Sequence, residues 1–273
     1  MSFGIAFEGC ACKGAFHVGV AEWMHDYGYE PDAVAGASSG SVIAALVALG
    51  EVKALAELWM AVGGTAVFQP KRMLAGRWPF VMSEVVGAPL RLKLGAMALA
   101  DVPKPLAITV TVLRRRGLTR RILSQPDHLP LVDAVLASCF FPGPYSRMVP
   151  VDGRPAIDGA WHVRTPVDTL ELLGANKLIG CVTRPEGTLR GGFLRERVFD
   201  VPARCRILQP IEPLRLDTWE LNRGRIRDAM ALGRRSAEAF FEANDTWLRS
   251  EPTVRRSTTA PTGSSNRSNK SRA

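Results

Sequence analysis

The sequence is short of histidine, of acid relative to base, and of cysteine in any regular spacing. Five cysteines (Cys10, Cys12, Cys139, Cys181, Cys205) are an odd count scattered over 273 residues. That excludes the dense, even-numbered disulfide framework of small secreted domains, and the expectation is reduced thiols in a cytoplasmic protein. Cys10-Ala11-Cys12 places one residue between its thiols where zinc and redox motifs place two, and no second Cys/His pair follows. Small-residue packing is the simpler reading, and no metal is expected. No acidic calcium loop is present either. Met1 to Phe7 has no basic n-region, and its apolar run ends at Glu8, so no secretory signal is expected. The longest charge-free stretch, Ala33 to Gly50, carries Gly36-Ala37-Ser38-Ser39-Gly40-Ser41 at its middle, which reads as a buried turn and helix rather than a membrane span. Aromatic residues make up 7% and do not interleave with the basic runs, so no nucleic-acid partner is expected.

What is present suffices for one sizeable core: 47% hydrophobic and 22% charged residues. The chain reads as one α/β domain over residues 1–249, with a basic Ser/Thr/Arg tail over 250–273 that is expected to be disordered. From Glu251 onward the tail holds five cations against Glu251 alone, so it supplies +4 of the formal +9 and leaves +5 for the body. Ser2–Phe7 reads as a strand, Gly14–Tyr27 as a helix, Ala33–Ala35 as a buried strand, and Val42–Leu49 and Val52–Val62 as helix broken at Gly50. Such alternation predicts a mainly parallel central sheet flanked by helices, with ligands at the carboxyl ends of its strands. Residues 63–105 are broken by glycine and proline around Phe68, Met73, Trp78, Phe80 and Met82, as a segment covering a site would be. Leu106–Leu113 and Leu118–Leu123 flank Arg114-Arg115-Arg116-Gly117 and predict a hairpin with an arginine-rich turn. Arg147–Val151 and Arg154–Ile157 are two short predicted strands around Asp152-Gly153. Pro166–Leu173, Lys177–Val182 and Thr218–Ala243 are predicted helix, strand and long helix.

Gly36-Ala37-Ser38-Ser39-Gly40 fits G-x-S-x-G and lies where a buried strand gives way to a helix, the context in which the motif presents a nucleophile. A small-residue turn without chemistry fits the same five residues. Glu8-Gly9-Cys10-Ala11-Cys12-Lys13-Gly14-Ala15 joins the first strand to the first helix. It is neither a P-loop nor G-x-G-x-x-G, which leaves an oxyanion loop with backbone amides near Cys10 and Ala11, or a plain tight turn. A third element, Ile157-Asp158-Gly159-Ala160, ends the later predicted hairpin.

With these three elements the sequence resembles the patatin-like phospholipase family over residues 3 to about 245. Further landmarks are Ala137-Ser138-Cys139 before Phe141-Pro142-Gly143, Pro166-Val167-Asp168, and Ala229-Met230-Ala231-Leu232-Gly233. The resemblance implies a patatin-like three-layer fold. It also implies a serine acyl hydrolase of lipid or phospholipid esters, with Ser38 and Asp158 as a dyad and Gly9, Cys10 and Ala11 as the oxyanion loop. Lys13, Gly14, Gly36, Gly40 and Gly159 match supporting positions of the motifs, and no cofactor is implied. Two departures stand out: Cys10 and Ala11 replace glycines, and His162-Val163-Arg164-Thr165 replaces the Asn-Pro usual after the aspartate's motif. They keep open a catalytically weak, lipid-binding or scaffold reading, and acyl transfer through the same serine is a third.

Asp152 is a rival carboxylate better explained by its turn, and Asp133 and Asp168 suit helix surfaces or caps. A Ser-His-Asp triad is the competing mechanism, but His17, His25, His128 and His162 are the only histidines, and His162 follows Asp158 too closely for that arrangement. The basic runs Arg114–Arg116 with Arg120-Arg121, and Arg223, Arg225, Arg227 with Arg234-Arg235, are candidates for anionic lipid head groups or solvated faces. The hairpin run is the better candidate for transient, peripheral membrane contact because it projects from a turn.

Overall fold

The computed structural model describes residues 2–193 and 197–250, so the expected tail lies, from Glu251 onward, outside the described residues. The opening alternation stands as β1 (Gly4–Phe7), α1 (Gly14–Asp26), β2 (Ala33–Ala37) and α2 (Ser39–Ala48), with α3 (Lys53–Val62) after the break at Gly50. Every residue of β1 and β2 is buried. A strand covered on both faces needs apolar or small side chains throughout, which is why these runs do not alternate in polarity. Within 63–105 lie two short helices, α4 (Met82–Val85) and α5 (Gly87–Leu94). The expected hairpin follows as β3 (Leu106–Arg114) and β4 (Gly117–Leu123), then α6 (Leu131–Cys139), β5 (Ala156–Ile157), α7 (Val167–Leu172) and β6 (Leu178–Cys181). A small antiparallel pair, β7 (Leu189–Arg190) and β8 (Val198–Phe199), precedes β9 (Cys205–Leu208). The last helix, α8 (Arg223–Arg249), starts later than Thr218, where the Asn222 side chain caps it by accepting the Arg225 N–H.

The main sheet runs β4-β3-β2-β1-β6-β9, parallel from β3 to β9, with β4 and β5 antiparallel to β3. Alternate side chains go to opposite faces: Ile5, Phe7 and Val34 join the core under α1, α2, α6 and α8, while Ala6, Ala33 and Ala35 face α7. The result is three layers. α1 and α8 cross closely because each offers a glycine: a Cβ on Gly19 would lie 1.9 Å from the Met230 carbonyl oxygen, and one on Gly233 would lie 2.0 Å from that of Phe16.

The hairpin expected around Asp152-Gly153 is corrected. The turn itself stands, with Asp152 at φ 51° and Gly153 at φ 69°, and Val151 and Arg154 exchange both backbone hydrogen bonds at 2.9 Å. The ladder goes no further: the next residue, Pro155, turns its carbonyl to β3, where it accepts the Leu113 N–H at 2.9 Å. Ala156–Ile157 pairs instead with β3, at Val112 and Thr111.

Candidate active site

The elbow serine and the later aspartate meet because two strands share one edge of β3. β2 pairs with β3 up to Ala37↔Thr109, and β5 takes the same edge beyond it, antiparallel, with Ile157 opposite Thr111. Ser38 leaves the end of β2 as Asp158 leaves the end of β5, and the Ser38 hydroxyl donates to Asp158 Oδ2 at 2.5 Å. Ser38 adopts φ 52°, ψ −130°, a conformation a non-glycine residue takes only when its surroundings hold it there. Those surroundings are close. A Cβ on Gly36 would lie 2.3 Å from the Gly40 carbonyl oxygen, and one on Gly40 would lie 2.2 Å from that of Phe7, so both motif glycines are sterically required. Gly159 likewise lets the Asp158 turn approach β3, where a Cβ would fall 2.0 Å from the Thr109 oxygen.

Asp158 is 3% exposed, and its other oxygen, Oδ1, accepts the Ala160 N–H at 2.8 Å. Burial pushes its carboxyl up to about 7, against the lowering effect of the bonds from Ser38 and Ala160. A carboxyl so placed can take a proton from a hydroxyl at neutral pH far better than an exposed aspartate can. The rival carboxylates are engaged elsewhere: Asp133 with Arg91, Asp152 with Arg121 and Asp168 with Arg120. The histidines are not at the serine. His25 and His128 are exposed, and His162 Nδ1 lies 3.3 Å from Thr111 Oγ1. His17 is buried against Phe7 and Phe16, and burial pulls it down to about 3, so it is neutral.

The three candidate oxyanion residues are not equivalent. The Gly9 N–H is donated to the Arg164 carbonyl at 2.8 Å, which corrects the expectation that it faces an anion. Gly9 is needed for closeness instead: a Cβ there would come within 2.9 Å of both Ala160 Cβ and the Ala37 oxygen and 3.1 Å of Ser38 Cβ. The Cys10 N–H is donated to Ser39 Oγ at 3.1 Å. The Ala11 N–H has no acceptor among the described residues, and Ala11 holds φ 51°. The Cys10 sulfur lies 3.7 Å from Ser39 Oγ and 3.8 Å from His17 Nδ1, and burial pushes its thiol up, so it is a neutral packing group. Lys13 follows in the same loop, and Gly14 clears the Trp59 ring, which a Cβ would approach to 2.6 Å. Among the described residues no three His, Cys, Asp or Glu side chains cluster as metal ligands would.

Ser38 and Asp158 open into a cavity of about 210 Å³ that also takes in Gly9, Cys10, Ala11 and Lys13. Leu58, Trp59, Val62, Met82 and Val86 give it an apolar wall, and Phe141, Phe193 and Trp219 pack edge to face on another side. Sequence reasoning missed Ser138, whose buried hydroxyl accepts the Ser38 N–H at 2.9 Å and donates to the Thr109 oxygen at 2.7 Å. Its one signal was the small-residue run ahead of Phe141-Pro142-Gly143. Trp219 was assigned to the long helix and sits instead in the loop before it.

The sequence profile of the patatin-like phospholipase family matches residues 5–171. No curated protein matches the sequence. Among solved structures, VipD from Legionella pneumophila aligns at a TM-score of 0.53 with 11% identity, covering 88% of this chain and 67% of that one. The type III effector protein ExoU aligns at 0.50 with 14% identity, covering 89% and 53%. The ExoU–SpcU complex from the type III secretion system of Pseudomonas aeruginosa gives 0.44 with 18% identity, covering 91% and 52%. The chain thus spans about two thirds of VipD and about half of ExoU. At these identities the likeness concerns the fold: a mostly parallel sheet between helical layers.

Proposed function

The chain belongs to the patatin-like phospholipase family, and we propose that it is a serine acyl hydrolase of lipid esters that works through a Ser38–Asp158 dyad. The observation that carries this reading is the 2.5 Å bond from the Ser38 hydroxyl to a buried carboxylate, at the floor of a cavity with an apolar wall. Ser38 Oγ attacks the acyl carbonyl carbon as its proton passes to Asp158. The oxygen that gains charge is met by the Ala11 N–H, and by the Cys10 N–H once the Ser39 hydroxyl rotates away. Collapse of the tetrahedral intermediate expels the alcohol, which takes the proton from Asp158. Water then attacks the acyl-enzyme, giving its proton to Asp158, and the second collapse returns that proton to Ser38 and frees the carboxylic acid. The segment 63–105 contributes Met82 and Val86 to the cavity wall, which supports its reading as the cover over an acyl chain. The five cysteines are free thiols, which fits a reducing compartment. Among the described residues no helix is long and apolar enough to cross a membrane.

The test is labelling by a fluorophosphonate probe, comparing the parent chain with Ser38→Ala and Asp158→Asn at equal folded concentration. Labelling that requires Ser38 and falls with Asp158→Asn supports the dyad, and products formed with and without an alcohol acceptor separate hydrolysis from acyl transfer. No labelling of the folded parent favours the lipid-binding reading, which the engaged Gly9 and Cys10 amides keep in view.

A further inference from the structure

The proposed chemistry leaves the arginine-rich β3–β4 hairpin unused. β3 runs from Ala37's partner Thr109 on to Arg114, five residues beyond the end of β2. At a rise of about 3.3 Å per residue the tip stands roughly 17 Å past the elbow, in the direction the parallel strands point. This is the edge of the sheet at which Ser38 and Asp158 lie. Leu113, Arg114, Arg115 and Arg116 are all exposed there. The Leu113 N–H is donated to the Pro155 carbonyl at 2.9 Å, which brings exposed Arg154 alongside. Further along the hairpin the cations are matched, Arg120 with Asp168 and Arg121 with Asp127 and Asp152. None of Arg114, Arg115, Arg116 or Arg154 has an acidic partner among the described residues.

We propose that the Arg114–Arg116 tip, with Arg154 beside it and Leu113 at its base, docks the protein on an anionic lipid bilayer and turns the cavity toward it. A bilayer suits this surface better than a nucleic acid does. The unmatched cations share the sheet edge of a cavity with an apolar wall, and the tip carries an aliphatic residue and no aromatic platform. The docking rests on the lipid-ester reading for its purpose but not for its measurement.

Binding is therefore read in the full chain carrying Ser38→Ala, by co-sedimentation with phosphatidylcholine vesicles with and without phosphatidylserine. The parent is expected to bind the anionic vesicles selectively and to release them as salt rises. Arg114→Ala/Arg115→Ala/Arg116→Ala is expected to weaken that binding roughly 100-fold, at about one head-group attraction per arginine. The matching triple lysine variant is expected to keep it. A control that removes equal charge from α8, Arg227→Ala/Arg235→Ala/Arg249→Ala, is expected to bind like the parent. Equal losses in the two alanine triples, no loss in the hairpin triple, no anionic preference in the parent, or preferential retention on duplex DNA over vesicles would each overturn the proposal. Fluorophosphonate labelling of the Ser38-intact hairpin triple is expected to match the parent, so failure of docking and failure of the dyad are distinguishable.

Discussion

Ser138 braces Ser38 from behind: one hydroxyl accepts the elbow's N–H at 2.9 Å and donates to the Thr109 oxygen of β3 at 2.7 Å. Because the Ser38 backbone is held at φ 52°, this brace keeps a strained residue aimed at Asp158. Ser138→Ala leaves a buried donor and a buried acceptor unpaired, and a stability loss of about 1–3 kcal/mol is expected in denaturant unfolding. A fall in kcat with little change in KM, on a short soluble ester, is expected to accompany it. A stability loss with kcat intact would make Ser138 a purely structural residue.

The raised carboxyl of Asp158 sets a pH dependence. As a proton acceptor Asp158 must be ionised, so kcat/KM is expected to climb with pH and level off above about 7, where burial has placed its titration. Asp158→Asn removes the acceptor and is expected to lower the rate by about 10²–10⁴-fold and to erase the acid limb. An Asn variant with the parent's profile would exclude Asp158 as the base.

The same shift has a stability consequence of opposite sign to that of a salt-bridged acid. A carboxyl raised on folding makes the native state bind its proton more tightly than the unfolded chain does. That favourable contribution is present at low pH and is lost as pH rises from the usual 3.8 through about 7. Above pH 7 the buried charge is a liability. Asp158→Asn is therefore expected to unfold at a higher temperature than the parent at pH 8, with the difference shrinking toward pH 4. A variant less stable than the parent at pH 8 would mean that the Ser38 and Ala160 bonds outweigh the desolvation.

Much of this site was legible because its parts are local. Gly36 to Gly40 and Gly9 to Gly14 announce tight turns through residues that lack a Cβ, and the structure places backbone atoms within 3 Å of where those of Gly9, Gly36 and Gly40 would sit. The alternation of buried strands and helices was likewise readable in short windows. What was not readable depends on pairing between distant strands. Nothing around Ala156 announces that it will leave the Asp152 turn and join β3, since that choice is made by the edge β3 leaves open past Ala37. The uses of the Gly9 and Cys10 amides were hidden for the same reason: their acceptors, Arg164 and Ser39, come from other segments. Ser138 was invisible as a brace because one buried serine in a helix has no sequence signature of what it will bond.

Ala11 offers the most direct test of the oxyanion loop. It holds φ 51°, where a Cβ costs roughly 1–2 kcal/mol against glycine, while a glycine gives back about 0.5–1 kcal/mol through the greater freedom of the unfolded chain. Relief therefore exceeds the entropy loss, and Ala11→Gly is expected to raise the unfolding midpoint slightly and to leave kcat on a soluble ester within a few-fold of the parent. Ala11→Val places a branched side chain in the same backbone conformation and is expected to be destabilised, with kcat falling more than KM changes if the Ala11 N–H meets the developing oxyanion. If valine lowers stability but leaves kcat untouched, the loop is a tight turn and the negative charge is met elsewhere. The α2 N-terminus, which begins at Ser39, would be the next set of amides to test.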